Sequence, residues 1–131
     1  MKQYDPIENR ISGQIVSAAI EVHKTLGGPG LLESLYAEAL AWELSDRGIK
    51  VEREKPLPVR YKTTTLSTPL RLDLLVADKV IVECKSVERY NTIYEVQALT
   101  YLRLSGLKLG LVINFGARLL RDGIHRVVNN L

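Results

Sequence analysis

Two neighbouring apolar segments of the chain contain charged residues at positions where a buried β-strand normally has hydrophobic ones. Residues 71–77 and 80–85 are short, rich in aliphatic side chains and separated by a turn, which predicts a β-hairpin. Asp73 lies within the first segment, and Glu83 and Lys85 lie within the second. Because an unpaired charge inside a protein is costly, these side chains require partners or a function.

The length of the turn decides which of these charges meet. If the turn has an odd number of residues, Val76 pairs with Val80, and Asp73 then lies directly across from Glu83. We favour this register because it gathers apolar side chains on one face of the hairpin. Those side chains are Leu72, Leu74, Val76, Val82 and Cys84. The other face then carries Asp73, Glu83 and Lys85 together.

Two carboxylates opposed across a strand pair repel each other unless a cation lies between them. A divalent ion meets this need, and carboxylate oxygens are the ligands that Mg²⁺ and Mn²⁺ prefer. Lys85 meets it equally well as a structural counter-ion. The residue pattern therefore leaves two interpretations open, a metal site and a structural ion pair.

Hydrophobic periodicity predicts three helices around the hairpin. They cover residues 5–26, 31–47 and 93–104. Asp5 followed by Pro6 is typical of a helix start. The buried stripe expected for the second helix consists of Leu32, Leu35, Tyr36, Ala39, Leu40 and Leu44. Glu33 falls in the first turn of that helix, where a negative charge complements the helix dipole.

Four further segments have the character of strands, and one reads as a loop. The strands are expected at residues 51–54, 57–61, 108–115 and 124–128, and the loop at 62–68. With residues 51–54 and 57–61 counted as one strand, the order is helix, helix, three strands, helix, strand, strand. This order predicts a single α/β (α+β) domain over residues 1–131, with helices packed on the faces of a sheet.

The composition is that of a globular domain, with 131 residues, 46% hydrophobic and 25% charged. No apolar run approaches the roughly 20 residues that cross a bilayer, and the first residues lack the apolar core of a secretory signal. Cys84 is the only cysteine, which excludes an intrachain disulfide and a multi-cysteine metal site. We therefore expect a cytoplasmic protein with a reduced thiol and no membrane partner.

Positive charge is concentrated in the second half of the chain. Residues 1–65 carry nine basic and nine acidic side chains, whereas residues 66–131 carry nine and six, which accounts for the net charge of +3. The basic side chains of the last segment are Arg103, Lys108, Arg118, Arg121 and Arg126. Such an excess suits a partner that bears phosphates, although a solvated surface would have the same appearance.

Six short motifs occur in an order and at a spacing that resemble a known family. They are VHKTLG at 22–27, GLLESLY at 30–36, RLDLLV at 71–76, VECK at 82–85, QALTYL at 97–102 and GLVINFG at 110–116. Together they resemble the PD-(D/E)XK nuclease superfamily, and within it the small GxxExxY proteins. The resemblance extends over nearly the whole chain and implies an α-β-β-β-α-β core with a mixed sheet.

The resemblance also implies roles for individual residues. Asp73 and Glu83 would be metal ligands, with the backbone carbonyl of Cys84 as a further oxygen donor. Glu33 would complete the acidic cluster from the second helix. Lys85 would orient the attacking water or stabilise charge on the phosphate. Because the Cys84 side chain faces away from this cluster, no covalent nucleophile is expected.

Further residues would support the site or contact the substrate. The supporting residues are Tyr36, Gln97, Tyr101 and His23, and the substrate-binding residues are Arg71, Arg103 and Arg118. The chain departs from the family pattern in two places. Cys84 stands where the family usually has a leucine, which should be neutral because the side chain points into the core, and Tyr94 stands where a histidine often precedes the glutamine. The role of that histidine is therefore not carried over to this chain.

These observations predict a divalent-metal-dependent nuclease that hydrolyses phosphodiester bonds, with DNA as the expected substrate and Mg²⁺ or Mn²⁺ as the cofactor. A homodimer would fit such an activity, since many nucleases cut two strands by pairing two copies. One alternative is a catalytically silent module that keeps the fold and binds nucleic acid or protein. Another is a hydrolase of RNA or of small phosphate-containing molecules.

Overall fold

The computed structural model describes residues 6–131. Its α-helices are α1 (Ile7–Leu26), α2 (Glu33–Asp46) and α3 (Ile93–Ser105). Its strands are β1 (Val51–Leu57), β2 (Arg60–Tyr61), β3 (Thr64–Thr65), β4 (Leu70–Val76), β5 (Val80–Lys85), β6 (Leu109–Asn114) and β7 (Ile124–Val128), and a short 3₁₀ helix covers Leu120–Gly123. The predicted helix-capping residue Asp5 lies outside the described residues.

Five of the strands form one mixed sheet in the order β1-β4-β5-β6-β7. The neighbours β5 and β6 run parallel, and the other neighbouring pairs are antiparallel. A parallel pair requires a long crossover connection, and α3 supplies it between β5 and β6. This α+β architecture, a mixed sheet flanked by helices, confirms the predicted fold class.

Helices cover both faces of the sheet. The helices α1 and α2 pack on one face, where Ile15 and Leu40 join Val82 in the larger apolar cluster. The helix α3 packs on the other face, where Ala98 and Leu102 belong to a smaller cluster. All six residues of β6 are buried, as expected for a central strand covered on both sides. Within residues 6–131, no helix is long and apolar enough to span a membrane.

The second helix differs from its prediction at its beginning. Leu32 precedes the helix and is 71% exposed, and Leu35 is 47% exposed, so both were wrongly assigned to the buried stripe. The buried face of α2 is set by Tyr36, Leu40 and Leu44, which are spaced four residues apart. Leu35 lies about 100° around the helix axis from Tyr36 and therefore faces away from the core.

Two strand predictions also need correction. Residues 51–57 form one continuous strand, β1, where two separate segments were expected. The expected loop at 62–68 contains β3, which pairs with β2 in a small exposed hairpin. The turn between them places Lys62 at a φ of 55°. These short strands satisfy their backbone groups locally and add nothing to the apolar core.

Candidate active site

The predicted hairpin register is present in the structure. Val76 pairs with Val80 across an odd-length turn, and the pairing continues to Leu74 and Val82. The next residue on each strand is Asp73 on β4 and Glu83 on β5. The two carboxylates therefore lie on adjacent antiparallel strands, at the point where the backbone pairing of β4 with β5 ends.

The pairing of β4 with β1 is interrupted at the same place. These strands pair on both sides of Asp73 but not at Asp73 itself, where Glu54 has a φ of 50°. A left-handed conformation is uncommon for a residue other than glycine and marks local strain. The strand faces change at the same place, since Leu72 and Leu57 belong to the cluster on the α3 side while Leu74 belongs to the other. The prediction that Leu72 shares a face with Leu74 is therefore wrong.

Beyond the last paired residues of β4 and β5, the carboxylates of Asp73 and Glu83 connect these two strands. We call this place the gap. The backbone N–H of Asp73 donates a hydrogen bond to Glu83 Oε2 over 2.9 Å. The backbone N–H of Cys84 donates one to Asp73 Oδ2 over 2.8 Å. Each carboxylate thus accepts a hydrogen bond from the backbone of the opposite strand. This reciprocal arrangement fixes both side chains before any ligand binds.

The environment of this pair disfavours two negative charges. Glu83 is only 9% exposed, and its burial, followed by the charge of Asp73, raises the pKa of Glu83 to about 8. Burial also raises the pKa of the Cys84 thiol well above its usual value, and the nearby carboxylates add to this effect. The thiol therefore stays neutral and is a poor nucleophile or metal ligand.

The donor set at the gap fits a hard divalent cation. Two carboxylates that repel each other, Asp73 and Glu83, offer oxygen ligands and gain from a positive charge between them. Within residues 6–131, however, no group of three or more histidine, cysteine or acidic side chains is gathered closely enough to hold a metal ion. The preformed ligands are therefore the two strand carboxylates, and further donors would have to come from the backbone or from water.

Glu33 faces the gap from the beginning of α2. Its Oε2 accepts a hydrogen bond from the backbone N–H of Ser86 over 3.4 Å and does not cap its own helix. Ser86 also donates its hydroxyl hydrogen to the carbonyl of Leu31 over 2.8 Å, which ties the helix start to the end of β5. Glu33, Ser86 and Asp73 line one cavity of about 510 Å³, together with Arg53 and Glu54.

Lys85 is half-buried and lies against an aromatic ring. Its Nζ is 4.7 Å from the centroid of the Tyr94 ring, a cation–π geometry. Among the described residues, Lys85 forms no ion pair with Asp73 or Glu83, so the salt-bridge interpretation does not describe this state of the protein. Its charge still lowers the pKa of Glu83, which places the ammonium near the pair.

The arrangement just described coincides with a family match. A model of the PD-(D/E)XK nuclease superfamily matches residues 9–127, which is most of the chain. The chain belongs to the PD-(D/E)XK nuclease superfamily. Members of this superfamily are generally nucleases and typically use divalent metals. A search of curated proteins and a search of solved structures found no match.

The helix α3 brings one of the two predicted PD-(D/E)XK supporting residues towards the carboxylates. Burial, followed by the charges of Glu83 and Asp73, raises the pKa of Tyr101, so its phenol remains a neutral hydrogen-bond donor beside the pair. Gln97 precedes Tyr101 by about one turn on the same helix and is exposed to solvent. The Tyr101 phenol is therefore close enough to the two carboxylates for their charges to raise its pKa.

Two other predicted supporting residues hold the scaffold of this PD-(D/E)XK domain. Tyr36 is fully buried, donates its hydroxyl hydrogen to the carbonyl of Gly28 and stacks on Phe115 with ring centroids 4.7 Å apart. His23 Nε2 donates a hydrogen bond to the carbonyl of Ala117 over 2.9 Å. Neither side chain lines the 510 Å³ cavity. They fix the turn before α2 and the loop after β6.

The predicted substrate-binding arginines are exposed but lie in different parts of the fold. Arg71 is on β4, Arg103 is in the last turn of α3, and Arg118 is in the loop after β6. Sequence reasoning missed Arg53, which lines the cavity with Asp73 because β1 pairs beside β4. No motif surrounds Arg53, and only the strand order reveals its position.

Proposed function

We propose that this protein is a divalent-metal-dependent nuclease that hydrolyses phosphodiester bonds in DNA, and that it is a GxxExxY-type member of its superfamily. The observation that carries this proposal is the carboxylate pair of Asp73 and Glu83, at the place where the pairing of β4 with β1 is interrupted. Each of Asp73 and Glu83 is held by a backbone N–H of the other's strand, and burial together with the charge of Asp73 favours an uncharged Glu83 until a cation compensates the charge. Structural carboxylates seldom retain such a cost without a role.

Asp73, Glu83 and the backbone carbonyl of Cys84 would hold Mg²⁺ or Mn²⁺. When bound, such an ion lowers the pKa of a coordinated water and neutralises charge on a phosphodiester. Glu33, which lines the same cavity as Asp73, would act through a bridging water, since it is not part of a three-carboxylate group within residues 6–131. The buried thiol of Cys84 takes no part.

Lys85 and Tyr101 would act on the substrate from the α3 side. Because the Lys85 ammonium is paired with an aromatic face and not with a carboxylate, its full charge remains available to a phosphate oxygen. The neutral Tyr101 phenol would donate a hydrogen bond to an anionic oxygen near the carboxylates. Both groups stabilise charge that develops during hydrolysis.

A cleavage screen tests this proposal. Plasmid, linear duplex, single-stranded and branched DNA, with RNA as a separate arm, are incubated with the protein and Mg²⁺ or Mn²⁺. We expect cleavage of DNA that EDTA abolishes and that Asp73→Asn removes. Asp46→Asn, the same change at an exposed residue at the end of α2, is the matched control and should cleave normally. Cleavage of RNA alone, or metal-independent cleavage, would contradict the proposal.

One observation favours the alternative of a catalytically silent module. The part of the chain covered by residues 6–131 offers two converging carboxylates but no third acidic, histidine or cysteine ligand beside them. Titration with Mn²⁺ separates the two functions. A nuclease should gain thermal stability from the ion through Asp73 and Glu83, because a ligand that binds only the folded state raises Tm. A silent module should not.

A further inference from the structure

Another cavity lies just beyond the carboxyl-terminal end of β6. Its volume is about 400 Å³, and its charged lining residues are Lys24, Arg118 and Arg121, with His23 beside them. Ile20 and Leu119 contribute apolar surface, and none of the acidic side chains within residues 6–131 lines the cavity. We call Lys24, Arg118 and Arg121 the basic triad. Lys24 comes from the half of the chain with no net charge, so the linear sequence conceals this grouping.

The loop that carries Arg118 and Arg121 is anchored directly to β5 and the segment that follows it. The backbone N–H of Phe115 donates to the carbonyl of Lys85 over 2.8 Å. The side chain of Asn114 brackets Val87, accepting from its N–H and donating to its carbonyl, each over 3.0 Å. Gly116 packs so closely against Val87 that a Cβ there would collide with its backbone. The loop therefore begins next to the segment that follows Lys85.

Three contacts hold the rest of the loop in one conformation. His23 donates to the carbonyl of Ala117 over 2.9 Å, which fixes the end of α1 against the loop. Leu120 is buried in the main core between Arg118 and Arg121. Gly123 approaches the carbonyl of Asn114 so closely that no side chain fits there. The backbone that presents the two arginines is thus preorganised, which reduces the entropy lost when a ligand binds.

The remaining basic residues of the last segment are placed elsewhere. Arg103 ends α3 and Lys108 precedes β6, whereas Arg118 and Arg121 follow β6. The six residues of β6 separate these two groups by about 17 Å. Arg126 already donates a hydrogen bond to Asn9 Oδ1 over 2.6 Å. The basic side chains of the last segment therefore do not form one surface, and only some of them lie near the end of the sheet that carries Lys85.

We propose that the basic triad binds the phosphodiester backbone of DNA beside the phosphate that is cleaved. Within residues 6–131, the cavity is lined by three cations and by no acidic side chain, and two of the cations, Arg118 and Arg121, lie on a loop fixed to the strand that carries Glu83 and Lys85. Guanidinium groups bind phosphate oxygens in a bidentate manner, and an ammonium adds a third positive charge. This proposal rests on the proposed function and specifies where its substrate lies.

The salt dependence of DNA binding tests the triad. A labelled duplex oligonucleotide is titrated in EDTA, so that no cleavage occurs, and Kd is measured by fluorescence anisotropy at several salt concentrations. Each neutralised phosphate contributes about 0.9 to the slope of log Kd against log salt. A triple variant carrying Lys24→Gln, Arg118→Gln and Arg121→Gln should lower the slope by about 2 to 3.

The matched control is a double variant with Lys79→Gln and Lys108→Gln, two exposed lysines that precede β5 and β6 at the end of these strands away from Lys85, and its slope should stay that of the wild type. An unchanged slope in the triple variant, or an equal loss per charge in the control, would overturn the proposal. Unfolding curves of all variants confirm that each is folded.

Cleavage kinetics distinguish this proposal from the proposed function. With saturating DNA and Mn²⁺, the triple variant should keep kcat and raise KM, because the triad does not touch the reacting atoms. If the wild type cleaves DNA while the triple variant keeps its slope and its KM, only the triad is wrong. If the wild type neither binds nor cleaves DNA, the proposed function fails together with the triad.

Discussion

Replacing Glu83 with glutamine is expected to stabilise the metal-free protein at neutral pH. The pKa of Glu83 rises from 4.5 in an unfolded chain to about 8 in the folded state. At pH 7 the folded carboxyl therefore takes up a proton that the unfolded carboxyl has lost. The 2.5 pH units between 4.5 and 7, at 1.36 kcal/mol each, give a cost of about 3 kcal/mol.

The sign of this effect follows from the direction of the shift. Because the folded state holds a proton on Glu83 that the unfolded state has lost, the contribution of this carboxyl to the free energy of unfolding is greatest below pH 4.5 and falls as the pH rises towards 8. Glutamine does not titrate, and its side chain retains the oxygen that accepts from the N–H of Asp73. Glu83→Gln should therefore match the wild type near pH 4 and exceed it by about 3 kcal/mol at pH 7.

Urea unfolding in EDTA at pH 4, 5, 6 and 7 measures this difference. Glu88→Gln, the same substitution at an exposed position just beyond β5, is the control and should leave the pH profile unchanged. Addition of Mg²⁺ should then stabilise the wild type and leave Glu83→Gln unaffected, since the variant lacks a ligand. A difference between Glu83→Gln and the wild type that is the same at every pH would refute the argument that burial and Asp73 hold the proton on Glu83.

Asp73→Asn should keep the fold and weaken Mn²⁺ binding, measured by calorimetry, and excess Mn²⁺ should restore part of the cleavage rate. Lys85→Ala should retain or tighten Mn²⁺ binding, because a competing cation is gone, while the cleavage rate falls by about 10²–10³; a wild-type rate would show that Lys85 is only structural. Gly116→Ala should destabilise the protein in urea by about 1–3 kcal/mol, because its Cβ collides with the backbone of Val87; equal stability would contradict this packing.

The hairpin could be predicted from the sequence because its geometry is local. Alternation of side chains and the length of one turn determine that Val76 meets Val80, and no distant residue alters this. The face of Leu72 could not be predicted in the same way. The face changes where the pairing of β4 with β1 is interrupted, opposite the left-handed Glu54, and no turn or glycine motif in the sequence marks that interruption.

The candidate site shows the same division. Asp73 and Glu83 could be placed together because they lie on one hairpin. The contacts of Lys85 with Tyr94 and of Glu33 with Ser86 depend on how α3 and α2 dock on the sheet, and helical periodicity does not specify that. The basic side chains of the last segment could not be assigned to one surface for a related reason. An excess of charge along the sequence does not indicate which end of β6 each residue lies near.

The carboxylate pair and its energetic cost have a single structural origin. The interrupted pairing at Asp73 leaves backbone N–H groups that donate to carboxylates, and this brings two acidic groups into a gap where one must hold a proton. The left-handed Glu54 adds strain of about 1–3 kcal/mol at the same point. A cation bound between Asp73 and Glu83 would displace the proton from Glu83 and compensate the charge of both carboxylates. Binding of the ion and loss of this proton would therefore be coupled. The domain can sustain this defect because helices bury both faces of the sheet around it.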